Sequence, residues 1–357
     1  MTMKHYKRCV KAALVTGLFF LIIMILSGCW NYKDINHREL PVAMGVSKVD
    51  DQFQVFLKIP MTKNNEVKMK VLSAKGETIS KAVDLISRNI ESSVDLLQIK
   101  IILIEKGTAE EGMEDIISGF VRSRDISNNT LVAICDEDIE KFLSKTLEDT
   151  NFYDFFEKNA GWTPEVIITR VWEVYRGIHS YTRDVAIPLL KSDENAPLKE
   201  IGSAIIKKGK MVGQLSSEES LLINAFNRES VKEKVQVMDH GTVMIKSNTV
   251  QYNSTMKNKL PSMNTKINLK VAILEIKKNA TEELLKTELE TELTNLFNQM
   301  FTKIQDSEAD ILALGQVYRN RLSRDELKKW RSDYYPNVEM GIQFEIDIQS
   351  EGFLKSL

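Results

Sequence analysis

The chain has 357 residues, of which 43% are hydrophobic and 27% are charged, and its formal net charge is −2. This composition is ordinary for a globular protein and excludes an intrinsically disordered chain. The mild acidity argues against nucleic acid as a partner, because nucleic-acid binding usually needs a basic surface. The length is sufficient for two or three domains that each bury a core.

The first 28 residues have the layout of a bacterial lipoprotein signal peptide. An apolar run over 12–26 follows a basic start, and Leu26-Ser27-Gly28 leads into Cys29. The pattern predicts cleavage before Cys29 and a diacylglycerol on its sulfur, so that membrane lipid would hold the chain outside the cytoplasm. Cleavage would also remove four basic side chains and take the net charge from −2 to about −6. The basic residues are Lys4, Lys7, Arg8 and Lys11.

The alternative for this segment is an uncleaved membrane-spanning anchor. A spanning helix needs about 20 apolar residues, whereas the run over 12–26 is shorter. Both interpretations place the bulk of the chain outside the cytoplasm. A diacyl anchor would give stable attachment, at about 0.8 kcal/mol for each buried CH2 group.

The three cysteines leave no intramolecular disulfide once the anchor is made. Cys9 would leave with the signal peptide and Cys29 would carry the lipid. Cys135 ends an apolar run and is predicted to be a small buried hydrophobic residue. The acidic residues at 136–138 argue against a reactive thiol there. The exported chain would therefore rely on its hydrophobic cores for stability.

The N-terminal region, residues 29–194, is predicted to mix strands and helices. The apolar stretch at 96–105 is typical of a central strand, and Thr163 with Pro164 is typical of a helix start. The predicted elements are a hairpin over 41–60 with its turn at Asp50-Asp51, helices over 77–93, 110–122, 138–146 and 163–180, strands over 96–105 and 130–135, and an extended segment over 183–190.

A polar stretch at 191–197 is the predicted boundary to a C-terminal region, residues 198–357. Ser216 and Glu219 fit a capping box at a helix start. The predicted elements are a hairpin over 201–215, strands over 238–246, 248–256, 263–277 and 338–348, and helices from 216 and over 282–304, 310–318 and 324–331. The fold class predicted is α+β and multi-domain, with mixed or antiparallel sheets covered by helices. No repeated βαβ rhythm requires a doubly wound sheet.

The sequence contains no convincing catalytic or metal-binding constellation. None of the four histidines, His5, His37, His179 and His240, stands at metal-ligand spacing from another ligand residue. Nucleophile-elbow, P-loop and dinucleotide-binding motifs are absent from the sequence. We therefore predict a protein that is not an enzyme and holds no metal or cofactor.

Arg122, Arg124 and Asp125 form the one charged motif with two competing interpretations. They could complement the negative end of a helix and pair with each other. They could instead form a contact surface for a partner. The sequence leaves both interpretations open.

Several stretches together resemble the lipoprotein C subunits of spore germinant receptors from endospore-forming bacteria. Cys29-Trp30 resembles the family's Cys-Trp-Asp start, with Asn31 in place of Asp, and Leu314 replaces a common aromatic. The similarity covers nearly all of the mature chain, in the same order. The stretches are LLQIKIILIEKGTAEEGMEDIISGFVRSRDISNNTLVAICDE, GSAIIKKGKMVGQLSSEES, ADILALG and KKWRSDYYPNVEMGIQFEIDI.

The resemblance implies a non-enzymatic subunit anchored on the outer face of the inner spore membrane. Its implied partners are two integral membrane subunits, A and B, of a receptor that triggers germination. It also implies three mixed α+β domains, which fits a C-terminal region split near Pro261.

Two other functions compete with this one. An extracytoplasmic lipoprotein could bind a small nutrient ligand directly, although the aromatic content of 8% gives no obvious sugar-stacking cluster. An extracytoplasmic enzyme, such as a peptidoglycan hydrolase, would need a carboxylate pair or metal site that the sequence does not display.

Overall fold

The computed structural model describes residues 3–26, 38–63, 66–90, 93–145, 164–193, 198–277 and 280–349. The predicted lipid site, Cys29, and the predicted helix cap, Thr163, lie outside these residues. The helices in chain order are α1 (Met3–Leu26), α2 (Ile79–Arg88), α3 (Lys106–Glu111), α4 (Glu114–Ser123), α5 (Ile139–Lys145), α6 (Val171–His179), α7 (Ser217–Phe226), α8 (Glu282–Asp306), α9 (Leu314–Val317) and α10 (Arg324–Lys328).

The strands follow the same numbering from the N-terminus. They are β1 (Arg38–Glu39), β2 (Ala43–Val49), β3 (Gln52–Lys63), β4 (Glu66–Gly76), β5 (Ser93–Val94), β6 (Ile101–Glu105), β7 (Leu131–Cys135), β8 (Val185–Lys191), β9 (Lys199–Lys207), β10 (Lys210–Leu215), β11 (Val235–Val237), β12 (Gly241–Lys257), β13 (Leu260–Ile276) and β14 (Glu339–Ile348).

Helix α1 belongs to a unit of its own that ends at residue 38, and the remaining chain forms a second unit. The described apolar side chains of α1, such as Leu14 and Phe19, are exposed. Within the ranges given above, no helix combines the length and the apolar character that crossing a membrane requires.

The larger sheet of the second unit has eight strands among the described residues, in the order β10-β9-β8-β7-β6-β2-β3-β4. Its centre, β8, β7, β6 and β2, is parallel, and antiparallel hairpins extend it on both sides. The predicted α+β class with mixed sheets is confirmed. The helix-connected run β6, β7 and β8 was not predicted, because its connections contain short, interrupted helices such as α3 and α4 rather than one long amphipathic helix.

Two predicted hairpin turns are confirmed, and both have the backbone that tight hairpins need. Asp50 and Asp51 join β2 to β3 with φ values of 50° and 60°. Lys208 and Gly209 join β9 to β10 with φ values of 49° and 80°. Two successive residues with positive φ match the twist of the flanking strands.

Helices cover both faces of the larger sheet. Helices α2, α4 and α6 bury one face, to which β6 and β7 contribute Ile102, Ile104 and Val132. Helix α5 packs on the other face, where Cys135 is fully buried. The burial of Cys135 confirms the prediction of a small buried residue, and this burial raises the pKa of its thiol to about 12.

The smaller sheet has the order β11-β12-β13-β14, and α8 packs across it. The leucine and aromatic stripe of α8 is buried in the same core as Phe344 of β14. The two strands predicted over 238–246 and 248–256 are one continuous strand, β12. A register shift between Ile245 and Ser247 marks the irregularity that the sequence pattern suggested as a break.

Several other predicted boundaries differ from the structure. The helix predicted over 77–93 ends at Arg88, the helix predicted over 110–122 is divided between α3 and α4, and the helix predicted over 310–318 begins at Leu314. The helix predicted from 163 begins at Val171, and Arg170 is its N-cap. The strand predicted from 96 begins at Ile101, because Leu96–Gln98 form a single 3-10 turn. Asp95 stabilises that turn, since its carboxylate accepts a hydrogen bond from the Leu97 N–H at 3.0 Å.

The two predicted regions meet inside the larger sheet. Strand β8 ends the N-terminal region and pairs antiparallel with β9, which begins the C-terminal region. The predicted division into domains at these residues, and the further split near 261, stay predictions.

Candidate functional site

An open groove of about 720 Å³ lies between α2 and α4. We call it the interhelical groove. The side chains on its floor are apolar, and charged residues stand around them, which is the usual anatomy of a protein–protein contact surface. The apolar lining residues are Phe53, Ile79, Val83, Leu96, Ile116, Phe120 and Ile126.

Two of the three residues predicted to contact a partner, Arg122 and Asp125, line this groove, and Arg124 lies between them in the chain without lining it. Arg122, in the last turn of α4, and Asp125 line it, and both are exposed. Arg124 is the C-cap of α4 and adopts a left-handed backbone with φ of 58°. Among the described residues, none of these three side chains forms a salt bridge, so the pairing that the sequence suggested is not formed there.

Gly119 provides open space in the middle of the groove. A Cβ atom added at this position would have no atom within 4 Å. The groove is therefore accessible along α4 rather than filled by neighbouring side chains.

A second cleft, of about 420 Å³, is lined by three arginines that the sequence did not indicate as site residues. We call it the arginine cleft. Arg170 and Arg176 flank the start and middle of α6, and Arg183 lies just before β8. The Arg176 guanidinium carbon lies 4.5 Å from the centroid of the Trp172 ring, within the range of a cation–π contact.

A buried network of ion pairs fixes the wall of this cleft. Asp184 and Arg331 are 2% and 6% exposed, and the Arg331 guanidinium binds both carboxylate oxygens of Asp184, at 2.7 and 2.8 Å. The same guanidinium also donates to the carbonyls of Tyr181 and Arg183, at 3.1 and 2.8 Å. We call the pair Asp184 and Arg331 the buried clamp. Bidentate pairs of this kind fix orientation as well as distance.

The clamp connects segments that are far apart in the chain. The Asp184 carboxylate accepts hydrogen bonds from the backbone N–H groups of Lys208 and Asp310, both at 3.0 Å. The clamp therefore joins the start of β8 to the β9–β10 turn and to the segment before α9.

Asp310 extends the clamp toward the C-terminal aromatic cluster. Its carboxylate accepts from the Leu314 and Gly315 N–H groups, both at 2.7 Å, and from the Trp330 indole at 2.8 Å. Complete burial raises the pKa of Asp310 to about 7, and these hydrogen bonds oppose the shift. Gly315 is required here, because a Cβ atom would lie 2.7 Å from Trp330.

Neither cleft displays the ligand set of a metal centre. No group of three or more His, Cys, Asp or Glu side chains among the described residues could hold a metal ion. The described surface offers an apolar groove with charged residues around it and a polar cleft lined by three arginines.

Comparison with known proteins identifies the class to which this fold belongs. The family model described as "Spore germination protein N-terminal domain" matches residues 31–192, and "Spore germination B3/GerAC like, C-terminal" matches residues 201–352. The chain therefore belongs to the germinant receptor C-subunit family, whose members are involved in spore germination.

Individual relatives agree with this assignment over nearly their whole length. The chain is 22% identical to spore germination protein GerQC of Bacillus cereus, over 92% of this chain and 95% of that protein. It is 20% identical to spore germination protein KC of Bacillus subtilis (strain 168), over 96% and 97% of the two chains. The crystal structure of the GerBC protein shares the fold, with a TM-score of 0.55 and 14% identity over 85% of this chain and 96% of that one.

Proposed function

We propose that this chain is the lipid-anchored C subunit of a nutrient germinant receptor and acts by assembly with integral membrane A and B subunits. Membership of the C-subunit family, across residues 31–192 and 201–352, is the observation that carries the proposal. The lipoprotein pattern that ends at Cys29 supports attachment to the outer face of the inner spore membrane. In this role the chain supplies binding surfaces rather than catalysis.

The anchor is tested by metabolic labelling with a clickable fatty acid. Wild-type protein should incorporate the label and fractionate with membranes, whereas Cys29→Ala should do neither and should lose the nutrient response. Cys9→Ala is the matched control, because Cys9 lies in the segment that cleavage would remove. Membrane retention and a full nutrient response in unlabelled Cys29→Ala would refute the anchor.

For assembly, we propose the interhelical groove as the docking surface for an amphipathic segment of an integral membrane subunit. The apolar floor would receive apolar side chains of that segment. Arg122 is exposed and forms no salt bridge within the described part of the chain, so it would pair with an acidic side chain of the partner.

The groove offers a sharp test at Gly119. Gly119→Trp should fill the groove without disturbing α4, because a Cβ atom there meets nothing within 4 Å. Gly107→Trp is the matched control, since Gly107 is also a helical glycine in open space but lies outside the groove. Co-purification with the A and B subunits should fall in Gly119→Trp and persist in Gly107→Trp. Equal co-purification of both variants would exclude the groove as the docking surface.

A further inference from the structure

The Arg183 side chain carries a cation that no hydrogen bond or salt bridge satisfies among the described residues. Arg183 is half-buried, and its guanidinium forms no hydrogen bond or salt bridge with any described residue. By contrast, the buried guanidinium of Arg331 donates four hydrogen bonds. Five N–H donors of Arg183 are therefore available at the arginine cleft.

Two neighbouring arginines increase the positive charge at the same place. Arg170 and Arg176 also line the cleft, and neither guanidinium forms a salt bridge within the described ranges. Burial lowers the pKa of Arg183 and repulsion from Arg176 lowers it further, while the charges of Asp310 and Glu173 act in the opposite direction without reversing the shift. An anion between Arg183 and Arg176 would offset both the burial of the Arg183 charge and the repulsion between the two arginines. It would supply hydrogen-bond acceptors and the opposite charge together.

Among the described residues, none of the acidic side chains that line the cleft forms a salt bridge with these three arginines. Asp184 is already bound by Arg331. A carboxylate oxygen of Glu173 accepts the Arg170 backbone N–H at 3.0 Å. The remaining acidic residue of the lining, Glu229, is exposed to solvent.

The position of Arg183 is fixed before any ligand arrives. Its carbonyl oxygen accepts a hydrogen bond from the Arg331 guanidinium at 2.8 Å, and the next residue, Asp184, is held by the buried clamp. A preformed backbone reduces the entropy lost on binding. The cleft volume of about 420 Å³ also falls within the range typical of small-molecule sites.

From this geometry we propose that the arginine cleft binds a small oxyanion, with Arg183 as the central contact and Arg176 as the second. The ligand is a solute that carries a carboxylate or a phosphate group. A planar guanidinium binds either group through two parallel hydrogen bonds. The site is separate from the interhelical groove and does not depend on the proposed lipid anchor or on assembly with other subunits.

Calorimetric titration of the full chain in detergent, with inorganic phosphate and with acetate, tests this site and distinguishes the two sources of oxyanion. Chloride at matched ionic strength is the reference. We expect saturable binding of one or both probes to wild type, and a loss of at least tenfold in affinity in Arg183→Gln. Binding of phosphate alone would identify a phosphate ligand, and binding of acetate alone a carboxylate ligand.

Two further variants keep the result interpretable. Arg324→Gln removes an exposed arginine of α10 that lines neither the arginine cleft nor the interhelical groove, and it should bind as wild type does. Arg183→Lys keeps the charge without the planar fork and should show intermediate affinity. Far-UV circular dichroism in chloride should be the same for all variants. No binding of either probe beyond chloride, or equal binding by wild type and Arg183→Gln, would overturn the proposal.

Discussion

Replacing Arg331 with alanine should destabilise the protein more than most single substitutions do. The change removes the guanidinium that binds both oxygens of Asp184 and leaves that carboxylate buried, at 2% exposure. It also removes the donor to the carbonyls of Tyr181 and Arg183. Two backbone N–H groups, from Lys208 and Asp310, would be the remaining described partners of the Asp184 carboxylate.

The expected size of this effect follows from the burial of the pair. Breaking a buried ion pair by removing one partner costs about 3–5 kcal/mol, because the other charge stays out of water. A loss of about 4 kcal/mol would change the unfolding equilibrium constant by roughly a thousandfold. Arg331→Lys should be intermediate, since lysine keeps the charge and loses the bidentate geometry.

Urea unfolding followed by far-UV circular dichroism measures this difference in stability. Equal dependence of the unfolding free energy on urea concentration in wild type and variant would show that the same transition is compared. Lys207→Ala is the matched control. Lys207 pairs with Glu308 at 2.7 Å in the same part of the fold, but both side chains are partly exposed. Loss of such a pair should cost less than about 1 kcal/mol. If Arg331→Ala were no more destabilising than Lys207→Ala, the buried clamp would not hold these segments together.

Two further predictions concern β9. Burial raises the pKa of Glu200 from 4.5 to about 7, so the folded chain keeps a proton that the unfolded chain releases, and stability should fall as pH rises through that interval. In Glu200→Gln the urea midpoint should fall less steeply as pH rises. The same pH dependence in the variant and in wild type would contradict this prediction. At Gly202, where φ is +112°, an alanine Cβ would lie 1.9 Å from the Leu215 carbonyl oxygen, so Gly202→Ala should cost more than about 2 kcal/mol. Gly107→Ala, at an open helical site, should change stability by less than about 1 kcal/mol in the same assay.

Local features of the fold were predictable because their causes are local. The turns at Asp50-Asp51 and Lys208-Gly209 follow from residues that accept positive φ between two strand patterns. The capping box at Ser216 is confirmed, with the Ser216 oxygen accepting the Glu219 N–H at 3.1 Å and the Glu219 carboxylate accepting the Ser216 N–H at 2.7 Å.

The order of strands in the larger sheet was not predictable in the same way. The alternation of apolar residues predicts that β6 and β7 are buried strands, yet it contains no information on which neighbours they pair with. The parallel centre depends on connections that run through short helices and through residues outside those described.

The candidate sites were predicted in part. Arg122 and Asp125 were indicated as a charged helix end, and the structure adds the groove beside them. Asp184 and Arg331 stand 147 positions apart in the chain, so no local pattern connects them. The Arg183-Asp184 dipeptide resembles the Arg124-Asp125 dipeptide in sequence. Only the fold shows that Arg183 is half-buried and Asp184 buried, whereas both residues of the second dipeptide are exposed.

The pairing of β8 with β9 has a consequence for how the protein is made. Strand β8 pairs with β9 along most of its length but pairs with β7 only at Leu189 and Leu190. A chain that ended near residue 192 would leave β8 as an open edge, with unpaired backbone groups available to other chains. That edge is covered only when residues 199–207 are present, so the N-terminal half of the chain completes its sheet with the first strand of the C-terminal half.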